Sequence, residues 1–508
     1  MIDRLPSRGT QRLLLQYLLL VQLILTSCTL SLLSTVSFAE ALSSPSSLPP
    51  ASLSLSSSSR SSDAFVLLGG TGRIGTAVAL HLLYRQPTAR IVLVGRNAKA
   101  GTKAVAEVLQ ESSKAATTAN VSFVQVQDVW NASCTILKDC IESADCVIHT
   151  AGPYANRTPT PMRMSIAAAA CRAYVDVADP LPYLETAILQ TNKAAAAGTT
   201  VLVAAGAFPG MSNVLAVQAA SQLPAGRVQD VRFQYFTKGL GGSGPLNLFI
   251  TNLGFGEPMA QFDAGALRFF PALSGLLLGQ VDFFLPSQTI TKRTEGFGNE
   301  AARERVGRQT VFSWPFPEAA TVPTTLRARG ESMAAMGTAP SVWNDTLGLL
   351  VRLIPRAWWR NAMFSQALAD FSEPLVQATD GWLRFTDKSN TGGETHAMRV
   401  DVTQRDGGPR GNGTTTVSIV QAHDSFRRCV AQSCAEFALD CMEYPAPGVW
   451  LPEQRFAENA ARARIIQRLT STPGTFCYTG PVEVQSAAPP TDLARVLREV
   501  KAAESYAP

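Results

Sequence analysis

The sequence has little charge, few histidines and no paired cysteine motif. Of its 508 residues, 16% are charged, four are histidine, and the formal net charge is +5. Nucleic-acid-binding domains carry dense basic surfaces, so this weak charge balance excludes that class and we expect no nucleic-acid partner. Hydrophobic residues make up 46% of the chain. That share supports ordinary globular cores, and the length fits two or three domains.

The nine cysteines include no C-x-x-C pair, which removes the usual spacing of zinc and redox sites. Cys429, Cys434 and Cys441 fall on one expected helix, with His423 nearby, so a metal site there is one interpretation. We favour buried free thiols, because a chain of this length does not need disulfide cross-links. The sequence therefore predicts no metal.

The N-terminal leader has the composition of a targeting segment. Arginines precede an apolar run over residues 13–33, so residues 1–39 are predicted to be a signal peptide. Residues 40–63 are Ser-rich and poor in acid, as in a transit peptide, and the combination predicts a plastid protein with a bipartite leader. A secretory signal with a Ser-rich linker is the alternative, and a signal anchor is a third. Asn156-Arg-Thr favours the plastid, because a glycan there would block the expected cofactor site.

The chain is organised around a glycine-rich turn between a strand and a helix. Residues 64–68 form an apolar run typical of a buried parallel strand, and a helical pattern follows the turn. The spacing G-x-x-G-x-x-G lets the backbone turn sharply and lets a pyrophosphate approach the helix N-terminus. We therefore predict that a dinucleotide binds to the whole loop, which comprises Gly69, Gly70, Thr71, Gly72, Arg73, Ile74 and Gly75.

No acidic residue follows the second expected strand, 90–94, and this absence separates two cofactors. An NAD site usually has Asp or Glu there for the ribose 2′-hydroxyl, whereas an NADP site has a basic residue for the 2′-phosphate. Arg96 and then Asn97 occupy this position, and Arg73 could assist. The sequence predicts NADP. The alternative is that Arg96 is only a solvated loop residue.

Six expected strands alternate with helices over residues 64–222, which is the pattern of an α/β Rossmann fold with a doubly wound parallel sheet. Ligands bind such sheets at the carboxyl ends of the strands. We expect further cofactor contacts from the residues that follow the third and fourth strands, which are Asp128, Val129, Ala151, Gly152 and Pro153.

Hydride transfer also requires a group that moves a proton. The candidates at the same edge of the sheet are Tyr154, His149 and Asp176. Each has a structural alternative, which is a pocket wall, a buried histidine and a turn cap, respectively. None of the nine tyrosines has a lysine four residues later, so the proton relay of short-chain reductases and epimerases is absent and that class is disfavoured.

The pattern changes after residue 222, and residues 223–480 mix strands, helices and a hairpin, which predicts a second, mixed α/β domain for substrate and dimer contacts. Within it, the helix expected at 426–442 could pack back on the first domain. The apolar stretch 264–285 is interrupted and is interpreted as strand and loop. The helix pattern at 347–359 predicts a pocket wall or subunit contact, and peripheral membrane contact is the alternative. Residues 481–508 are expected to be a loose tail.

Several of these motifs resemble the saccharopine dehydrogenase (saccharopine reductase-like) family, nearest to its plastid members in plants and algae. The resemblance covers most of the chain after residue 63. The stretches that carry it are Gly69–Gly75, Gly95–Asn97, Thr150–Tyr154, Tyr174–Asp176, Ala207–Asn213 and Pro447–Trp450. It implies an NADP-binding domain, a second α/β domain and a homodimer.

Saccharopine itself carries three carboxylates and would need converging arginines. Arg157 and Arg163 follow the fourth strand, and no other arginine near the glycine turns qualifies clearly. The substrate therefore stays open. We predict an NADP-dependent oxidoreductase acting on a small metabolite, and the alternative is a catalytically silent NADP-binding regulator or scaffold.

Overall fold

A computed structural model of the protein describes residues 62–113, 120–223, 228–239, 245–270, 277–285, 290–293, 296–339, 341–386, 394–405 and 414–485. The predicted signal peptide, nearly all of the transit-like segment 40–63 and most of the tail 481–508 lie outside these ranges. Across the described ranges, every helix is too short or too polar to cross a bilayer.

The first sheet has seven parallel strands in the order β16-β6-β5-β4-β1-β2-β3. The strands are β1 (Ala64–Leu68), β2 (Arg90–Gly95), β3 (Asn120–Gln125), β4 (Cys146–His149), β5 (Ala173–Asp176), β6 (Thr200–Leu202) and β16 (Gly448–Trp450). This order is that of a doubly wound sheet, so the predicted fold class is confirmed. The sequence predicted six of these strands and missed β16, which joins β6 from far along the chain.

Helices connect these strands and cover the sheet. They are α1 (Arg73–Arg85), α2 (Ala98–Ser113), α3 (Thr135–Glu142), α4 (Thr160–Ala167), α5 (Leu181–Ile188), α6 (Thr191–Ala197) and α7 (Met211–Ala220). Two of these helices, α5 and α6, follow each other closely, because the chain leaves the first at Leu189 and starts the second after Gln190. The break lets Ala194 turn into the core.

The second sheet is mixed and mainly antiparallel. Its central path is β10-β12-β13-β7-β14-β15-β18-β11, with β17 on β15, β8 on β13 and β9 on β8. The strands are β7 (Val228–Lys238), β8 (Met259–Asp263), β9 (Ala266–Phe270), β10 (Leu277–Asp282), β11 (Ile290–Arg293), β12 (Arg308–Ser313), β13 (Ser332–Ala339), β14 (Thr395–Arg405), β15 (Thr414–His423), β17 (Thr475–Tyr478) and β18 (Val482–Gln485). The predicted hairpin is β14–β15, and the interrupted apolar stretch supplies β9 and β10.

The remaining helices follow or flank this sheet. They are α8 (Pro245–Gly254), α9 (Asn299–Arg305), α10 (Glu318–Leu326), α11 (Val342–Leu353), α12 (Arg356–Trp359), α13 (Ala362–Thr386), α14 (Phe426–Glu443), α15 (Pro452–Arg455) and α16 (Asn459–Thr470).

Helix α14 returns from the second sheet to pack on α1 and β5 of the first. His81 Nε2 on α1 lies 2.7 Å from Glu436 Oε1 on α14, and Arg85 Nε reaches the same oxygen at 3.2 Å. One hydrophobic cluster also runs through both sheets and includes Phe65 of β1 and Phe233 of β7. The two sheets therefore share a core, and the C-terminal part of the chain holds the helix that follows the glycine loop.

The eight cysteines of the described ranges are free thiols, and all but Cys134 are buried. This confirms the interpretation as buried thiols. Burial raises the pKa of Cys429 and of Cys441 to about 12, so both stay protonated. Within the same part of the chain, no three His, Cys, Asp or Glu side chains gather as metal ligands.

Candidate active site

The glycine loop packs directly against the segment that follows β4. Gly69 has φ +80, a conformation that strongly favours glycine, and its N–H donates to the Val94 carbonyl at 2.9 Å. A Cβ built on Gly69 would lie 2.7 Å from the backbone nitrogen of Ala151. A Cβ on Gly75 would collide with the Gly69 carbonyl oxygen, so the first turn of α1 rests on the loop itself. The loop, α1 and Ala151 therefore form one compact unit.

The N-cap residue of α1 offers no side-chain acceptor. Gly72 is the N-cap residue, provides no side-chain hydrogen bond and is exposed, and the first turn contains no acidic residue. The first N–H groups of a helix need acceptors from outside the helix, and a diphosphate supplies them. The predicted residues Thr71, Arg73 and Ile74 lie at this terminus. The geometry fits the diphosphate of a dinucleotide.

The end of β2 presents cations and no acid. Arg96 and Asn97 are exposed and line an open surface pocket with Ala98, Lys99 and Gln125. Asn97 Oδ1 accepts from the backbone N–H of Ala100 at 3.1 Å and so caps α2. The sequence analysis missed Lys99, although its place in the first turn of the helix after Arg96 was a usable signal. Two cations here fit an adenosine 2′-phosphate.

Two predicted adenine-side residues point in different directions. Asp128 is exposed, and its Oδ1 accepts from the backbone N–H of Trp130 at 2.9 Å. Val129 is 6% exposed, and its side chain packs in the core. Of these two side chains, that of Asp128 is exposed and that of Val129 is buried. The assignment of both residues to the cofactor stays a prediction.

The segment after β4 connects the glycine loop to a cavity between the two sheets. Ala151 touches Gly69, a Cβ on Gly152 would lie 3.8 Å from Ile250 Cδ1, and both Pro153 and Ile250 line the cavity. Its volume is about 170 Å³. The first part of the chain contributes Tyr154, Asp179 and Phe208 to the lining, and the second contributes Glu257, Trp314 and Phe316. A small molecule in this cavity would lie next to the cofactor loop.

His149, one of the three predicted proton donors, is fully buried and does not line the cavity. Its Nδ1 is hydrogen bonded to the hydroxyl of Tyr174 at 2.9 Å. Burial lowers the pKa of His149 to about 3, so the ring is neutral at physiological pH. The Trp130 ring lies 4.7 Å from the imidazole, which completes an aromatic enclosure.

Tyr154 and Asp176 are held by local hydrogen bonds. The Tyr154 hydroxyl donates to the His149 carbonyl at 2.5 Å, while its ring lines the cavity. Asp176 is fully buried and accepts from Tyr183 at 3.1 Å and from two backbone N–H groups, at Ala178 and Ala204. Burial raises the pKa of Asp176 to about 6. Both side chains thus brace the cavity wall, and their predicted catalytic role stays a prediction.

Asp179 is the acidic side chain at the end of β5 that faces the cavity. It is half-buried, and burial raises the pKa of Asp179 to about 6, with a further contribution from the negative charge of Glu257. Burial also raises the pKa of Glu257, against the opposing effect of Arg360. Asp179 was not among the predicted proton donors, which included Asp176 at the end of the same strand. Glu257 gave no sequence signal, because only the packing of α8 brings it to the cavity.

Behind the cavity wall lies a second buried acid, Glu318. It accepts a hydrogen bond from the Tyr235 hydroxyl, and its other oxygen has no hydrogen-bond partner within the described ranges. Burial raises the pKa of Glu318 to about 8. Tyr235 in turn stacks on Phe208 with ring centroids 4.1 Å apart. The aromatic wall and this acid are therefore one packed group.

The fold and the cleft together define a two-sheet α/β protein with a dinucleotide-type loop beside an enclosed cavity. Residues 65–202 match the family model described as saccharopine dehydrogenase NADP binding domain. Over these residues the chain is similar to the NADP-binding domain of saccharopine dehydrogenases, and the resemblance inferred from the motifs is confirmed for this domain. Its assignment to a plastid branch stays a prediction.

A solved structure supports the same fold. Apo histidine-tagged saccharopine dehydrogenase (L-Glu forming) from Saccharomyces cerevisiae is similar with a TM-score of 0.50 and 13% identity, over 83% of this chain and 100% of its own. At that identity the likeness shows the fold alone. Lactate dehydrogenase from Eimeria maxima, with NADH and oxamate, matches with a TM-score of 0.22 and 15% identity, over 32% of this chain and 48% of its own, and supports no argument. None of the curated proteins compared with the chain matches it significantly.

Proposed function

We propose that the protein is an NADP(H)-dependent oxidoreductase that acts on a small metabolite held in the cavity between the two sheets. One observation carries the proposal, which is the close approach of Gly69 to Ala151, whose near neighbours Pro153 and Tyr154 line the cavity. The segment after β4 therefore lies between the dinucleotide loop and the cavity. NADP, when bound, supplies the hydride donor or acceptor of the reaction.

The chain's own residues hold the cofactor by its phosphates. The N–H groups at the start of α1 bind the diphosphate, since the N-cap Gly72 has no side chain and leaves room for a phosphate at the helix terminus. Arg96 and Lys99 neutralise the 2′-phosphate, since both lie in the exposed pocket after β2 and no acid lies with them. This arrangement favours NADP over NAD.

We assign the proton transfer to Asp179. It lines the cavity, and burial raises its pKa to about 6, so it can exchange a proton near neutral pH. Above that pKa Asp179 is mainly a carboxylate, which accepts a proton from a bound substrate; in the reverse direction the acid form returns it. Tyr154 forms part of the cavity wall, because its hydroxyl is already engaged by a carbonyl.

Two measurements test this function. Calorimetry with NADPH and NADH should show that NADPH binds more tightly, and heat from neither coenzyme would defeat the proposal. Turnover of NADPH should then be followed by its absorbance in the presence of plastid metabolite extracts. We expect Asp179→Asn to lose turnover and keep NADPH affinity, with Tyr154→Phe as the control that keeps both. Tight binding without turnover in any extract would instead support the regulator or scaffold.

We further propose that the protein works in the plastid. The composition of the leader supports this, as does Asn156, which is exposed two residues after the cavity residue Tyr154. A glycan on Asn156 would crowd the entrance. Fusion of residues 1–62 to a fluorescent protein tests the plastid localisation. Secretion of the fusion protein would contradict this proposal.

We also propose a homodimer whose subunit contact includes the exposed apolar side chains around α12. Leu353, Trp358 and Met363 are 60%, 54% and 61% exposed, respectively, and they lie close together in the chain; clustered exposed apolar side chains are typical of contact surfaces. Light scattering should show a dimer that Trp358→Glu weakens. If the protein is instead a monomer that co-floats with lipid vesicles in a density gradient, these side chains would form a peripheral membrane contact.

A further inference from the structure

The wall of the cavity is mainly aromatic. Phe208 packs edge-on against Phe316 and stacks on Phe426, with ring centroids 5.1 Å apart in both pairs. Trp314 and Met336 also line the cavity. Such a wall binds apolar groups by burying their surface, and the faces of its rings also attract cations.

The charged side chains in this lining are both acidic. Asp179 and Glu257 face the cavity, and the described part of the lining contains no Lys, Arg or His. Arg360 lies near Glu257, but its Nε donates to the Gly256 carbonyl at 2.7 Å and it is not part of the lining. Glu318 lies behind the aromatic wall and is fully buried, and burial raises its pKa to about 8, so it adds little negative charge near neutral pH. A ligand in the cavity therefore meets an apolar surface and two acidic side chains, Asp179 and Glu257.

We infer that the cavity selects a ligand with an apolar body and one positively charged group, such as an alkyl or aryl ammonium, and rejects ligands that carry carboxylates. The inference rests on the proposed function, because it names the substrate class of the same site. An ammonium between Asp179 and Glu257 would pair with both carboxylates, while the hydrocarbon part would cover the aromatic rings.

Rejection of carboxylates follows from the same groups. A carboxylate that leaves water needs a cation or several donors, and this lining offers two like charges instead. The two arginines that follow β4, Arg157 and Arg163, are exposed and do not line the cavity. A tricarboxylate such as saccharopine would leave its charges unpaired here. The cavity thus differs in substrate class from what the name of the cofactor domain suggests.

Three probes with one skeleton test the inference: phenylbutylamine, phenylbutanol and phenylbutyrate. Each is titrated into the purified chain, with and without saturating NADP⁺, near pH 8, where Asp179 is ionised. Calorimetry gives the affinity, and the fluorescence of Trp314 in the wall reports occupancy of the cavity. We expect the amine to bind ~10-fold more tightly than the alcohol, and the carboxylate to bind more weakly than the alcohol by a similar factor.

Charge-removing variants locate the selectivity. Asp179→Asn and Glu257→Gln keep the side-chain shape, so the advantage of the amine over the alcohol should fall towards one while alcohol affinity stays. Glu185→Gln is the matched control, because Glu185 is an exposed acid on α5 outside the lining. Retained alcohol and NADPH binding shows that each variant is folded.

The inference is overturned if phenylbutyrate binds as tightly as the amine, if none of the probes binds, or if the advantage of the amine survives in both charge-removing variants. Titration with NADPH tests the proposed oxidoreductase function separately from the selectivity of the cavity. A chain that selects the amine but does not bind NADPH would overturn the proposed oxidoreductase function and leave the selectivity of the cavity intact.

Discussion

In the described part of the parallel sheet, a glycine-rich turn follows both β1 and β6 and leads into a helix, and the two turns differ in exposure. The first, Gly69–Gly75, contains Gly72, which is the exposed N-cap residue of α1. The second, Gly206–Gly210, leads into α7, whose first residues are at most 1% exposed. Both turns follow a buried strand of the same sheet. The local pattern is shared, and the surroundings differ.

The difference lies in what satisfies the N-terminus of each helix. At α7 the backbone N–H of Gly210 donates to Asn213 Oδ1 at 2.9 Å, and Asn213 Nδ2 donates to Glu453 at 2.8 Å. The second sheet covers this turn through the stacking of Phe208 on Tyr235. At α1 the N-cap residue is Gly72, which has no side chain to accept such a bond and is exposed. A glycine turn becomes a ligand site only where the rest of the fold leaves its donors unused.

Substituting the buried turn should have the largest effect. Gly210 has φ +136, and a Cβ there would collide with the backbone of Gly206. We expect Gly210→Ala to lower the free energy of unfolding by ~3 kcal/mol or more, or to prevent folding. Urea unfolding measures this. If Gly210→Ala were as stable as the parent, the buried turn would tolerate a Cβ as well as the open turn does. The proposed difference between the two turns would then be wrong.

Reversing the charge beside the open turn should come next. Arg96→Asp places an acid where the 2′-phosphate is expected, so NADPH should bind ~100-fold more weakly while NADH binding holds or improves. Calorimetry with both coenzymes measures the ratio. Lys193→Asp, an exposed lysine on α6, is the matched control for net charge. An unchanged NADPH affinity would show that Arg96 does not bind the 2′-phosphate and is only a solvated loop residue.

The open turn itself should affect binding more than stability. Gly72 is exposed and has φ −79, which alanine tolerates, although its Cβ would lie 3.1 Å from the Gly69 carbonyl oxygen. We expect Gly72→Ala to weaken NADPH binding ~10-fold and to change the unfolding free energy by less than ~1 kcal/mol. Gly210→Ala is the counterpart of this variant, because we expect it to lower stability more than NADPH affinity. Loss of stability without loss of affinity would contradict the assignment.

The acid behind the covered turn should give a pH-dependent effect. Burial raises the pKa of Glu318 from 4.5 to about 8, so between these values the folded chain holds a proton that the unfolded chain has released. Stability therefore falls as pH rises through this window. Glu318→Gln keeps an acceptor for Tyr235 and cannot titrate. Relative to this variant, the parent should lose about 2 kcal/mol of unfolding free energy between roughly pH 6 and pH 8.

Urea unfolding at several pH values checks this prediction, and the exposed Glu185→Gln serves as the control. All other titrating groups are common to the parent and the variant, so the difference between the profiles reports Glu318 together with its coupling to Glu453 and Asp179. Parallel pH profiles for the parent and Glu318→Gln would show that Glu318 ionises as freely in the folded chain as in water.

Much of the cofactor side of the cleft could be predicted, because its features are local in sequence. A buried strand, a glycine turn and a helix follow one another within residues 64–85, and their order alone indicates the loop. The substrate side could not be predicted in this way. Asp179 follows β5 and Glu257 follows α8, and the cavity that unites them exists only when the two sheets pack. The predicted donors His149 and Asp176 have the right residue types but end in the core.

The sequence by itself determined the parallel sheet, the dinucleotide loop and the basic residue beside it, since periodicity and glycine spacing act over short stretches of chain. Tertiary structure alone decided which glycine turn stays open, that β16 completes the first sheet beside β6, and which acids face the cavity. The reason is physical. Whether a donor or a carboxylate is available to a ligand depends on what packs against it, and here those partners come from residues far away along the chain.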